Sequence, residues 1–163
     1  MQRLFNALKF QAAALDASVA QPRFGVVSSV DPSTYTARVL LQPEGVLSGW
    51  LPVLTSWAGN GWGVVCPPVP GQQVLVVAQE GDAEHGVIVG CAFSTQMRPP
   101  AAPAGELWLV HESGSFLKLL GDGSIAAQAT QFALSGTVAV TGNLTVSGTI
   151  TDANGQVATA SGG

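Results

Sequence analysis

The chain has 163 residues, of which 47% are apolar and only 10% charged, and its formal net charge is −4. The charged fraction lies far below the roughly 25% of an ordinary soluble protein, so much of the surface is expected to be covered by another subunit. An acidic balance without a basic patch argues against a nucleic-acid surface, and the longest uncharged run alternates apolar with polar instead of offering the about 18 apolar residues of a membrane-spanning helix.

Leu4, Leu8, Leu15 and Val19 recur near helical spacing with alanines between them, which predicts a short amphipathic helix over 2–19, ending before Gln21-Pro22. Residues 1–20 form this N-terminal helical segment. A lone helix so short is marginal in water, and it is expected to dock on a neighbour or a partner protein. Lys9 and Asp16 interrupt its apolar residues and no clean cleavage site follows, so the segment does not read as a secretory signal.

From Arg23 the period changes to that of strands. RFGVVSSVD leads through a turn at Asp31-Pro32-Ser33 into TYTARVLLQ, where Tyr35, Ala37, Val39 and Leu41 share a face. WLPVL, a glycine-rich turn AGNGWG, VVCPPVPG, QQVLVVAQEGD and HGVIVGCAFS follow. Short strands at intervals of about 10–15 residues suggest a small closed barrel, and the count and length of segment 21–97 fit a five-stranded OB-type barrel of about 75 residues. Cys66 and Cys91 sit in apolar strand-like contexts and read as small buried hydrophobes in preference to a disulfide. Trp50, Trp57 and Trp62 read as core or subunit-contact aromatics; a stacking platform for single strands is the alternative, disfavoured because 45–66 holds no Lys or Arg.

Residues 98–104, beginning Arg98-Pro99-Pro100, form a linker stiffened by proline. Two strands are expected after it, Glu106 to Val110 and Ser115 to Leu120, followed by a hairpin-type turn at Asp122-Gly123. Residues 131–151 then read in sixes as QFALSG, TVAVTG, NLTVSG and TIT, with apolar residues second and fourth and glycine sixth. Alternation persists across the glycines, so Phe132, Leu134, Val138, Val140, Leu144, Val146 and Ile150 share one face. Each hexad is expected to be a short strand plus a corner. So few hexads make little more than one coil of a single-chain β-helix, short of the roughly three stacked repeats that stability needs. Three chains wrapped round a common axis bury the stripe against its own copies and leave no exposed edge. The seven residues are therefore the expected trimer core of a segment 105–163, an intertwined β-helix shaft with its tip. The alternative is an ordinary amphipathic hairpin.

Little in the chain suggests catalysis. His85 stands beside Glu84 in EGDAEHG and reads as a solvated loop histidine, and His111-Glu112-Ser113 are too close in sequence to form a triad. No nucleotide-binding glycine loop and no metal-ligand cluster occurs. No cofactor, metal or catalytic residue is expected.

The ordered series Gly25-Val26-Val27, Trp50-Leu51-Pro52, Gly61-Trp62-Gly63, Pro67-Pro68, Gly71-Gln72-Gln73-Val74 and Gly81-Asp82 resembles the N-terminal barrel of the phage baseplate assembly protein V family, the central spikes of contractile tails. The resemblance covers about half of the chain, and a trimeric β-helix after the barrel fits the same family. It implies an all-β structural protein and not an enzyme: a homotrimer in the tail baseplate of a virion, made in the host cytoplasm, that joins tail tube or hub proteins and pierces the host outer membrane on contraction. An oligonucleotide-binding module on the same barrel, or the spike of a pyocin-like or secretion-system particle, is the alternative. Many related spikes hold iron at the apex through paired histidines, but here no histidine follows His111. A ring of Asp152 carboxylates makes a thin calcium site. After Asp152, Asn154, Gln156, Thr159 and Ser161 are the remaining polar side chains, so a blunt apex capped by a separate tip protein is expected.

Overall fold

The computed structural model describes residues 2–18, 20–80 and 82–151, and the chain divides into two units, Met1–Ala101 and Ala102–Gly163. The expected tip, from Asp152 onward, lies outside the described residues, as do Gly81 and Val19 and the side chain of Leu15.

The first unit begins with helix α1 (Gln2–Ser18), whose Leu4, Phe5, Leu8 and Phe10 are exposed. Among the described residues no helix is long and apolar enough to cross a membrane. Strands β1 (Arg23–Asp31), β2 (Thr36–Leu41), β3 (Val46–Leu47), β4 (Leu51–Pro52), β5 (Ala58–Gly59), β6 (Trp62–Gly63), β7 (Gln73–Gln79) and β8 (Asp82–Ala92) follow. The main sheet runs β3-β2-β1-β7-β8, with β4 also on β2. β3 and β4 are two halves of one strand. Between them Ser48 is buried, its amide donating to the Val39 carbonyl at 2.8 Å and its hydroxyl accepting the Val39 amide at 2.9 Å. The side chain thus stands in for a backbone acceptor where the strand breaks. A parallel bridge between Val53 and Ile88, with the Leu54 amide donating to the Ile88 carbonyl at 2.8 Å, joins this broken strand to β8. The five strands close into an OB-type barrel.

Its core takes residues from every wall: Val27 on β1, Ala37 and Val39 on β2, Leu51 on β4, Val74 and Val76 on β7, and Ile88 on β8. The period of two along β1, β2 and β7 is the alternation visible in the sequence. Gly25 is required, because a Cβ there would collide with the Val39 side chain and press on the Leu40 carbonyl. The β1–β2 connection is an Asx turn. One Asp31 carboxylate oxygen accepts the Ser33 amide at 3.0 Å and the Ser33 hydroxyl at 2.6 Å, and the other accepts the Thr34 hydroxyl at 2.9 Å.

Several expectations are corrected here. Tyr35 adopts a φ of 54° in the turn, so β2 begins at Thr36, two residues after the expected Thr34. VVCPPVPG forms no strand among the described residues, since its prolines lack the amide a ladder needs. His85 lies within β8, not in a loop. Cys66 and Cys91 are free and exposed instead of buried: Cys66 lies in that unpaired stretch, and Cys91 lies near the end of β8, beyond its bulge. Partial burial of the sulfur, with the Cys66 thiol nearby, still pushes the Cys91 thiol above its usual value.

The second unit holds a three-stranded antiparallel sheet ordered β11-β10-β9, from β9 (Leu107–Val110), β10 (Phe116–Leu119) and β11 (Ile125–Gln128). The Asp122 carboxylate accepts the Ser124 amide at 2.9 Å and its hydroxyl at 2.6 Å, closing the β10–β11 turn as Asp31 closes its own. From 131 to 150 no strand forms within the single chain. A strand needs a partner for its backbone groups, and this stretch shows no strand partner among the described residues. The expected intertwined shaft is not seen in the single chain. Gly136 and Gly142, six residues apart, have φ of 127° and 124°, values that side chains disfavour, while Gly148 has no positive φ.

Two outcomes are expected. Ile88→Ala removes a side chain with no exposed surface at the closure and should cost the barrel about 3 kcal/mol, read as a lower urea midpoint at unchanged m. The hydrogen bonds from Ser33 and Thr34 favour charged Asp31, and those from Ser124 favour charged Asp122, so both carboxyls lie below the usual 3.8. Because the folded value is the lower one, the stabilisation is present above the unfolded value and is lost as pH falls through the folded one. Carboxyl-carbon NMR should give midpoints below 3.8 for both, and Asp31→Asn should remove its share of the acid-side loss.

Candidate assembly surfaces

Closed turns and a filled barrel leave few polar groups in search of chemistry. Among the described residues no cluster of His, Cys, Asp or Glu is arranged to hold a metal. His111 and Ser113 do meet, Nδ1 to Oγ at 2.9 Å, but Nδ1 also accepts the Ser113 amide at 3.2 Å. The Gly114 amide donates to the His111 carbonyl at 3.0 Å. The pair is a turn fastening between β9 and β10.

What the structure presents in quantity is uncovered apolar surface. Phe132, Leu134, Val138, Val140, Leu144, Val146 and Ile150 are between 43% and 73% exposed, and a single chain brings none of them into a core.

The β9–β11 sheet adds a surface that the sequence reading missed. Its register pairs Leu107 with Leu119 and Leu109 with Leu117 on one side, and Leu119 with Ile125 on the other. These five aliphatic residues share one face and all are exposed. The opposite face is finished. Lys118 Nζ lies 3.6 Å from the Trp108 ring centroid and 4.3 Å from that of Phe116, a cation held over two π faces. Trp108 Nε1 donates to Glu106 at 2.7 Å, and the other Glu106 oxygen accepts the Gly121 amide at 3.0 Å. The signal was hidden because Trp and Phe on the finished face blur the apolar and polar alternation.

A third surface lies on the barrel. Asn60-Gly61 joins β5 to β6 as a two-residue hairpin, which stands Trp57 and Trp62 edge to face at a centroid distance of 5.1 Å. With Pro32, Tyr35, Thr55 and Val65 they line an open groove of about 540 Å³. Trp50 is also exposed, with the Arg38 guanidinium 5.9 Å from its ring. The three tryptophans are thus surface aromatics and not core.

The Type VI secretion system/phage-baseplate injector OB domain family matches residues 23–93, from the first residue of β1 to just past the end of β8. The barrel belongs to the baseplate protein V family. Over 73 residues the chain is 37% identical to the type VI secretion system spike protein VgrG4b of Pseudomonas aeruginosa, covering 44% of this chain and 9% of that protein. Over 59 residues it is 36% identical to VgrG5 of the same organism, covering 36% and 8%. The matched stretch thus spans less than a tenth of the length of either relative. In baseplate protein V terms the match covers the barrel, while both the sheet and the hexad stripe lie beyond it.

Proposed function

We propose that three copies of this chain form the central spike of a contractile injection particle, a phage tail baseplate. The barrels make a collar that joins tube or hub proteins, and residues 105–163 make an intertwined β-helix shaft directed at the host outer membrane. The work is mechanical: sheath contraction drives the shaft forward and no bond is made or broken. The carrying observation is the uncovered hexad stripe downstream of an injector-family barrel. Covering its seven large residues contributes on the order of ten kcal/mol per chain before entropy, at about 25 cal/mol per Å². The turns at Gly136 and Gly142 support the same reading, since they repeat one backbone conformation at the hexad spacing. The separate tip-capping protein belongs to this proposal.

The relatives' names favour a second setting, a secretion-system particle, in which the same trimer does the same work. Whether sheath, tube and capsid genes flank this one distinguishes the two.

Light scattering should give a mass of about 50 kDa, three times 16.6 kDa. Val140→Asp places three carboxylates near the axis, where desolvation costs several kcal/mol each, and should leave a monomer with an intact barrel. A fully trimeric Val140→Asp protein contradicts the packing. Single-stranded DNA should not bind at physiological salt, and submicromolar binding lost on Trp57→Ala and Trp62→Ala would favour an oligonucleotide module instead.

A further inference from the structure

The aromatic groove on the barrel offers hydrogen-bond donors of one kind and no charge. Trp57 and Trp62, edge to face at 5.1 Å, line it together with Pro32 and Tyr35. Tyr35 holds a φ of 54°, a conformation that a residue with a side chain seldom takes. Its hydroxyl oxygen accepts the Cys66 amide at 3.3 Å, which leaves its own proton to donate. Among the described residues neither indole N–H, of Trp57 or of Trp62, finds an acceptor. The Thr55 hydroxyl is already given to the Val64 carbonyl.

A polyproline II segment suits such a lining. It presents carbonyl oxygens that make no internal hydrogen bonds, its prolines bring no amide to be stranded, and aromatic-lined grooves are where such segments dock. A sugar stacked on the same rings would need acceptors as well, and the only side-chain oxygens in the lining, of Tyr35 and Thr55, are both already in a bond. The chain itself carries a segment of the first kind, Arg98-Pro99-Pro100-Ala101-Ala102-Pro103. With three residues per turn and a rise of about 3.1 Å each, Pro100 and Pro103 stand on one edge about 9 Å apart. Residues 98–104 belong to no strand and are exposed, as are the two tryptophans, so within one chain neither covers the other.

We propose that the Trp57–Trp62 groove is the docking site for the proline-rich linker of a neighbouring copy, with Pro100 and Pro103 against the aromatic rings and Arg98 directed at Asp31. The inference rests on the trimeric reading above and adds to it a contact made by the barrel, outside the shaft. Charge complementarity sets its direction. Asp31 is the last residue of β1, next to the lining residue Pro32, and its bonds from Ser33 and Thr34 keep it a carboxylate. Arg98 is the only charge between 85 and 105 and has no ion-pair partner among the described residues. No lysine or arginine in 45–66 opposes it. The linker therefore enters with its first residue at the β1–β2 turn and its prolines over the β5–β6 hairpin.

The test uses the full chain with the photoreactive residue p-benzoylphenylalanine in place of Ala101, which leaves all three linker prolines intact. After irradiation, a bond to another copy joins two chains, which run on a denaturing gel at about 33 kDa, twice 16.6 kDa. Peptide mapping should place the attachment within residues 55–65. Trp57→Ala together with Trp62→Ala should lower the yield of that adduct at least tenfold. Arg98→Ala should lower it severalfold at low ionic strength and less at high salt, where the pairing with Asp31 is screened. Attachment within the same chain, attachment outside 55–65 in an intact trimer, or a yield unchanged by the loss of both tryptophans overturns the docking and leaves the spike reading in place. A chain that is monomeric by light scattering overturns both.

Discussion

The Leu54 amide reaches the Ile88 carbonyl at 2.8 Å, and with the Val53–Ile88 bridge this contact joins the broken third strand of the barrel to its last. Without it the sheet would have two long edges and a half-covered core. With it, all five strands contribute to one interior in which Ala37, Val39, Val74 and Ile88 have no exposed surface. Two local devices serve the closure. Ser48 satisfies both backbone groups of Val39 where the strand divides, and Gly25 makes room for the Val39 side chain. Among the described residues the barrel's strands are joined to one another within the single chain.

The second unit obeys the same rule with the opposite result. Its sheet stops at three strands, and among the described residues 131–150 form no strand, so the aliphatic side chains of both stay exposed. The low charge content accompanies this arrangement. From Gly123 to Thr151 no side chain is charged, and ions on a surface that became covered would have to be desolvated. Charge appears where cover is lacking: Lys118 and Glu106 occupy the finished face of the sheet and bind its own aromatics and backbone.

Much of the barrel was legible because its signals are local. Strand β1 spans Arg23–Asp31 as its alternation indicates, Asp31-Pro32-Ser33 turns where it should, and the ordered motifs pointed to the family that matches 23–93. What escaped depends on partners distant in sequence. No pattern marks Ser48 as the break in a strand, since its role is fixed by Val39. Cys66 and Cys91 have apolar neighbours in sequence, but the barrel's closure leaves both at the surface. The aliphatic face of the second sheet becomes visible only when register sets Leu107 opposite Leu119 and Leu109 opposite Leu117. The hexad alternation belongs to the sequence alone, and the structure leaves its seven large residues exposed and outside the core.

Gly136 and Gly142 share one backbone conformation at an interval of six, and six is an even number. Removing or inserting one whole unit returns every later side chain to the face it held before, whereas five or seven residues would turn each of them over. Length in this part of the chain is thus quantised.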